Sequence, residues 1–412
     1  MSYSTLDLFS GCGGLSAGFH QGGFETALAV EDQDYCSKSF SANFQNATVL
    51  NLDVRDFLKG VEGKGHEYPS SGDFDVICGG PPCQGFCGIN RHRHQDDDRN
   101  SLVEIFLRCV AAMSPKIVIM ENVNGILSLN NGSAIKDAIL FLKELGYAAG
   151  LNIVQTGCYG VPQSRWRVVL IGIIDKNKSV EFLKPLHAFH RTRVFDAKYF
   201  KENVIHPPRL GEDLFEKFYK QITVRDAISD LPSIENGECY TGKYKSGTAS
   251  GYARLLRGRK KALEDHECSN LGPINMERVL NLPKGTGAGW TALPERLQPK
   301  NLARVGTSSY KNRFGRLHWD KSFSTIMTKP EPYWGRVIHP DQDRVISVRE
   351  CARAQGFPDG FRFIGKLNQK YRMIGNAVAP PLGRAIAWTI RKSLGDQDVE
   401  QEIEAYGKSI KA

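Results

Sequence analysis

Between residues 4 and 174, apolar runs of strand length alternate with segments of helical period, and few folds accommodate that rhythm. The strand candidates are Thr5–Phe9, Ala27–Glu31, Asp75–Cys78, Ile117–Met120, Leu151–Gln155 and Val168–Ile174. Helix candidates fall between them at Leu15–Gln21, Tyr35–Phe44, Leu102–Met113 and Ile135–Leu145. In Leu102–Met113 the apolar residues Leu102, Ile105, Phe106, Val110 and Met113 form the stripe of a half-buried helix. Runs such as KIVIM and VVLIGII are apolar without alternation, as in strands covered on both faces. The pattern predicts an α/β fold built on a Rossmann-like, doubly wound, mostly parallel sheet.

Ligands of such sheets bind beyond the C-terminal strand ends, so the residues that follow each strand carry the functional information. The first strand runs into Ser10-Gly11-Cys12-Gly13-Gly14, a turn whose glycines allow close backbone approach before a helix N-terminus. Its spacing is G-x-G-G rather than G-x-G-x-x-G, which argues against a dinucleotide and hence against a nicotinamide-dependent oxidoreductase. Glu31 ends the second strand, where an acidic side chain holds ribose hydroxyls, and Asp53-Val54 is placed so that Asp53 accepts from an exocyclic amine. Together these residues describe a pocket for a nucleoside without phosphates, which suits S-adenosyl-L-methionine.

Three further strand ends carry chemistry. The stretch 78-CGGPPCQGFCGINR-91 places Cys83 directly after two glycines and two prolines, which fix the turn before it. A thiolate there is a strong nucleophile if nearby cations lower its pKa. Glu121 follows a buried strand, where partial desolvation favours a proton that it can donate. Arg165 and Arg167, in 163-QSRWR-167, share a side if that stretch is extended.

The charge distribution indicates a partner. Residues 186–340 hold 26 Lys+Arg against 16 Asp+Glu, whereas the whole 412-residue chain has a net charge of only +9. A basic region in an otherwise near-neutral chain is the footprint expected for a polyanion, nucleic acid first. Ten scattered cysteines without a C-x-x-C pair imply a reducing compartment and no metal site. No apolar run is long enough to cross a membrane, and no secretory pattern opens the chain. Helical signals return at Ser347–Gln355 and Pro381–Leu394. The expected organisation is a catalytic domain in 1–185, a basic target-recognition domain in 186–340, a returning segment in 341–395 and a C-terminal tail in 396–412.

Six stretches in order, DLFSGCGGLSAGF, GGPPCQGF, MENV, QSRWR, RECARAQGFPD and GNAVAPPL, resemble the motif series of the DNA (cytosine-5) methyltransferases. The resemblance runs from residue 4 to about 393 and is nearest to the catalytic domain of maintenance-type eukaryotic enzymes. It implies that Cys83 attacks C6 of a cytosine flipped out of double-stranded DNA while Glu121 binds N3. It also implies that Arg165 helps to hold the base and its adduct, with Arg167 in the same motif. The implied cofactor contacts are Phe9, Gly11, Gly13, Glu31, Asp53, Val54, Pro82, Leu102, Asn376 and Val378. Residues 85–100 become a Gly-hinged loop that closes over the base, CpG the implied site, and a monomer the expected state. The implied location is the nucleus of a eukaryote, or the cytoplasm and nucleoid of a bacterium.

Two departures stand out. Cys87 occupies a position where relatives commonly carry serine, which invites oxidation sensitivity, and the zinc cluster of the animal maintenance enzymes has no counterpart. Two rival readings stay open: a tRNA cytosine-5 methyltransferase of the same family, disfavoured by the long basic insert, and a catalytically inactive DNA-binding regulator.

Overall fold

Seven strands form one sheet in the order β3-β2-β1-β4-β5-β7-β6. They are β1 (Tyr3–Leu8), β2 (Phe24–Glu31), β3 (Thr48–Asn51), β4 (Val76–Gly79), β5 (Ile117–Val123), β6 (Ala148–Gln155) and β7 (Trp166–Ile173). Helices α1 (Gly14–Gln21), α2 (Asp34–Asn43), α3 (Val54–Glu62), α4 (Ser101–Met113) and α5 (Ser133–Glu144) connect them. The computed structural model describes residues 3–82, 101–175, 177–189, 197, 199–208, 218–245, 247, 249–303 and 313–411. Cys83, Cys87 and the stretch 85–100 lie outside the described residues.

The α/β architecture is as the alternation predicts, with two elements added and one strand reversed. Neighbours from β3 through β5 pair in parallel, whereas β7 is antiparallel to both β5 and β6. The link from β6 to β7 is only 156–165, too short for the crossover that parallel strands require, so the chain turns back. Strand β3 and helix α3 escape the sequence pattern. β3 is four residues long and only partly buried, while α3 is amphipathic, with Val54, Phe57 and Leu58 buried.

The chain forms two compact units. The first comprises Met1–Tyr159, Trp166–Lys220 and Ala377–Glu402, the second Gly160–Arg165, Gln221–Asn376 and Ile403–Ala412. Charge composition and packing therefore divide the chain differently: 186–220 pack with the sheet and 341–376 with the second unit. Residues 398–411, expected as a tail, form a helix. In the first unit, helix Pro380–Ser393 packs on α1 where Gly18 faces Gly383; a Cβ at Gly18 would lie 2.2 Å from Pro380 O, so only glycine permits the approach.

The second unit is held by buried arginines. Arg344 pairs with Glu350 through two bonds of 2.8 and 2.7 Å, and Glu350 closes the capping box with Ser347 that starts helix Val348–Ala354. Burial opposes ionisation of Glu350, but Arg344 holds its carboxyl well below the usual range. Arg316, fully buried, pairs with Asp343, so part of the basic count in 186–340 is internal rather than surface charge.

Asp7 is a buried acid near the C-terminal end of β1, 1% exposed. Ser16 Oγ donates to its Oδ2 at 2.6 Å, and Thr26 Oγ1 donates to Ser16 Oγ at 2.9 Å. Burial pushes the carboxyl up to about 7, against the Ser16 and Cys78 hydrogen bonds. An unfolded aspartate ionises near pH ~4. Between about pH 4 and pH 7 the folded state thus keeps a proton that the unfolded state has released, and stability falls as the pH rises. Asp7→Asn is expected to flatten that fall, read by urea unfolding at pH ~5 and pH ~8, by about 2 kcal/mol. Equal slopes in the two proteins would remove Asp7 as the source.

Candidate active site

Parallel strands bring their C-terminal ends to one edge, and in the first unit that edge collects the residues after β1, β2, β3, β4 and β5. After β1 the backbone enters the left-handed region at Phe9 (φ 57°), Gly11 (φ 56°) and Gly13 (φ 93°). Gly13 caps α1, and a Cβ there would meet Phe44 at 2.5 Å, so glycine is required on both counts. The Gly11 N–H donates to Glu31 Oε2 at 2.8 Å and the Gln33 N–H to Glu31 Oε1 at 3.0 Å. Glu31 is thereby fixed across the turn. Burial pushes its carboxyl up to about 7, against those two backbone hydrogen bonds.

Asp53 follows β3 and caps α3, its Oδ1 accepting from Arg55 N at 2.8 Å, with Arg55 Nη1 at 3.4 Å from Oδ2. Val54 and Leu102, at the starts of α3 and α4, are buried. Ser10, which the sequence reading passed over, lies inside the same turn. Its hydroxyl is buried and lacks a hydrogen-bond partner. A serine within a glycine-rich ligand turn was the available signal. An orphaned hydroxyl beside Gly11 and an acid ready to accept from ribose fit a nucleoside ligand bearing a polar tail.

At β4 and β5 the turn toward Cys83 is moored to the neighbouring strand. Asn122 Nδ2 donates to Pro81 O at 3.0 Å, and a Cβ on Gly80 would lie 3.5 Å from Glu121 Oε2. Pro82 is exposed at the end of the described turn. Glu121 lies within β5 rather than after it, and its carboxylate is buried against Arg167, with Nε 2.7 Å from Oε1. Because β7 runs opposite to β5, its first residues reach the same edge, with Arg167 beside Val123. The glutamate and arginine read separately from MENV and QSRWR are thus a single buried ion pair. Among nearby thiols, burial pushes Cys12 up to about 12 and Cys78 well above its ordinary value, so neither supplies a thiolate at neutral pH.

Arg165 precedes β7 and belongs to the second unit, where its guanidinium donates to Ile326 O at 3.0 Å and Gly375 O at 2.9 Å. Gln163 donates to Ala354 O at 3.1 Å and to Gln355 Oε1, and Gln355 donates to Ile374 O at 2.7 Å. These bonds join three of the sequence motifs, QSRWR, RECARAQGFPD and GNAVAPPL, whose first residue pairs lie nearly two hundred positions apart. Asn376 ends helix Leu367–Asn376 and is exposed in the second unit; Val378 is partly buried in the first. Among the described residues no cluster of His, Cys, Asp or Glu could hold a metal ion, and no helix is long and apolar enough to cross a membrane.

A family model described as C-5 cytosine-specific DNA methylase matches residues 3–392. The chain is 36% identical to DNA (cytosine-5)-methyltransferase 1 of Mus musculus over 95% of its own length and 28% of the mouse protein. It is 34% identical to DNA (cytosine-5)-methyltransferase 2 of Arabidopsis thaliana over 96% of its length and 29% of the plant protein. The chain therefore spans less than a third of the length of these relatives. Among solved structures, a prophage-encoded methyltransferase from E. coli superimposes with a TM-score of 0.66 at 25% identity, covering 95% of this chain and 99% of the other. The Entamoeba histolytica methyltransferase EhMeth shares the fold, with a TM-score of 0.54 at 14% identity over 96% of this chain and 99% of the other.

Proposed function

Because the chain belongs to the C-5 cytosine-specific DNA methylase family, we propose that it transfers a methyl group from S-adenosyl-L-methionine to C5 of cytosine in double-stranded DNA. The observation that carries this reading is the buried Glu121–Arg167 pair, packed against the Gly80-Pro81 turn that leads into Cys83. It shares a sheet edge with Glu31 and the Gly11–Gly13 turn, so a carboxylate able to address a base adjoins a nucleoside pocket.

Bound there, the cofactor supplies an electrophilic methyl on a sulfonium. Glu31 accepts from the ribose hydroxyls, Ser10 and the Gly11–Gly13 turn hold the polar tail, and Phe9, Val54, Pro82 and Leu102 enclose the remainder. Asp53 keeps one oxygen for the helix cap and offers the other to an exocyclic amine. Asn376 and Val378 are assigned to the cofactor by resemblance alone. Cytosine C5 and C6 are shielded while the base is stacked, so the substrate base must leave the duplex. The Cys83 thiolate then adds to C6, forming a C–S bond and moving the ring electrons to C5. Glu121 hydrogen-bonds at N3, and Arg167 fixes that carboxylate in place. Arg165 is assigned to the base and its adduct by resemblance alone. C5 takes the methyl group, loses its proton to a base, and the returning electron pair expels Cys83 as thiolate.

The basic part of 186–340 holds DNA phosphates while a few side chains read base edges, with CpG the site implied. The protein acts as a monomer, in the nucleus of a eukaryote or the cytoplasm and nucleoid of a bacterium. The mouse and Arabidopsis relatives are DNA methyltransferases by name, which favours a DNA substrate over tRNA.

Trapping tests the reading directly. Fluorine at C5 cannot leave as the proton does, so a duplex with 5-fluorocytosine at the target should yield a denaturation-resistant protein–DNA adduct that requires the cofactor. Failure to trap any such adduct on any duplex, with tRNA trapped instead, would overturn it. Ser10→Ala is expected to weaken cofactor binding about tenfold, as for one lost hydrogen bond to a charged group. Calorimetric titration with S-adenosyl-L-methionine checks this, and unchanged affinity would exclude Ser10 from the site.

A further inference from the structure

Trp334 is the one exposed tryptophan among the described residues, 51% exposed on a turn of the second unit. The turn is fixed from both sides. Trp334 N donates to Glu331 O at 3.0 Å, and Phe314 N donates to Pro332 O at 2.7 Å. The neighbouring Tyr333 turns inward: its ring meets Phe314 edge-on at 5.4 Å and its hydroxyl accepts from Arg278 Nη1. Arg278 is itself anchored to Leu297 O at 2.8 Å and Asn275 Oδ1 at 3.0 Å. Tyr333 thus serves as the root of the turn and Trp334 as its outward face. The Arg313 guanidinium lies 5.1 Å from the centre of the indole ring.

A large aromatic face held rigidly in water, backed by a cation, does little for the folded state. It presents what an unstacked nucleobase needs, a π-surface of matching size with positive charge for the adjoining phosphate. Extruding one base leaves others without a stacking neighbour, and aromatic or apolar side chains commonly cover such faces. We infer that Trp334, supported by Arg313, stacks on a base of the DNA substrate and thereby positions the recognised sequence. The inference rests on the function proposed above and adds a named specificity residue to it.

The test uses the full chain and a target-containing duplex. Tryptophan emission is titrated with DNA for the wild-type protein and Trp334→Phe, and duplex affinity is measured for both and for Trp334→Ala and Arg313→Ala. Because the indole is half in water, its truncation removes little core packing. Expected are DNA-dependent quenching in the wild type that Trp334→Phe lacks, and duplex binding weakened about ten- to a hundredfold by Trp334→Ala. Phenylalanine should retain most of the affinity. The rise for Trp334→Ala should appear in KM for DNA, with kcat at saturating DNA within a few-fold of wild type. Wild-type binding and unchanged emission quenching after Trp334 is replaced, in a preparation whose wild type methylates DNA, would overturn this inference alone. A wild type that transfers no methyl group to any duplex would instead strike the function reading.

Discussion

Cys83→Ala is expected to abolish methyl transfer, by at least ~10⁴-fold, as when other covalent nucleophiles are removed. Without addition at C6, C5 of cytosine belongs to an electron-poor aromatic ring and does not attack a sulfonium. Among the described residues, nothing else at this sheet edge can substitute. The nearby thiols of Cys12 and Cys78 are buried and held protonated. Glu121 is committed to Arg167 at 2.7 Å. Cys83→Ser should recover almost none of the rate, because a hydroxyl ionises far less readily than a thiol. Duplex affinity and cofactor affinity should persist in both variants. Label transfer and equilibrium binding on the same preparations check this, and more than a tenth of wild-type turnover in Cys83→Ala would contradict it.

The second large effect is on stability. Arg353, fully buried, donates to Asp359 at 2.9 and 2.6 Å and to Asp230 at 2.5 and 3.2 Å, and also to Ala227 O at 2.8 Å. Burial opposes ionisation of Asp359, but Arg353 holds its carboxyl below the usual range. Arg353→Met would leave two buried carboxylates short of their main counter-charge. Breaking a buried pair in this way costs about 3–5 kcal/mol, a large fraction of the total stability of an ordinary domain. Arg353→Lys should rescue only part, since an ammonium cannot reproduce the two-pronged contact with Asp359. Chemical denaturation monitored by circular dichroism measures the loss, and a change below about 1 kcal/mol for Arg353→Met would contradict the role given to this network.

Arg353 also shows where the sequence stops being readable. RECARAQGFPD announces a short helix through its Ser347 start and its Gly356 and Pro358 stop, and the helix is there. Its two arginines look like surface residues, yet Arg349 and Arg353 are both buried, because besides the nearby Asp359 they meet Asp265 and Asp230, which are 84 and 123 positions away in sequence. Local periodicity cannot reveal counter-charges so distant. The same holds for Glu121 and Arg167, legible as individual candidates but not as a pair, since the pairing depends on β7 running antiparallel beside β5.

Other features had a local signal. Asp53, a ligand candidate, is also the cap of an amphipathic helix, as an aspartate before Val54, Phe57, Leu58 and Val61 allows, and the structure shows that cap. The ten residues between β6 and β7 were already too few for a parallel crossover. By contrast, the turn after β1 was legible in detail. Glycine spacing argues against a dinucleotide, and Glu31 at the end of β2 reaches Gly11 across that turn. Net charge located the unit rich in Lys and Arg but not its limits, because packing rather than composition places 186–220 with the sheet and 341–376 with the second unit.

The measurement that bears most directly on the central claim is methyl transfer from methyl-labelled S-adenosyl-L-methionine to a duplex of random sequence, with the modified positions mapped base by base. Label at C5 of cytosines in DNA, absent when Cys83→Ala replaces the wild type, is the predicted result. An active cofactor-bound protein that labels no DNA cytosine, or labels it equally without Cys83, would contradict the account.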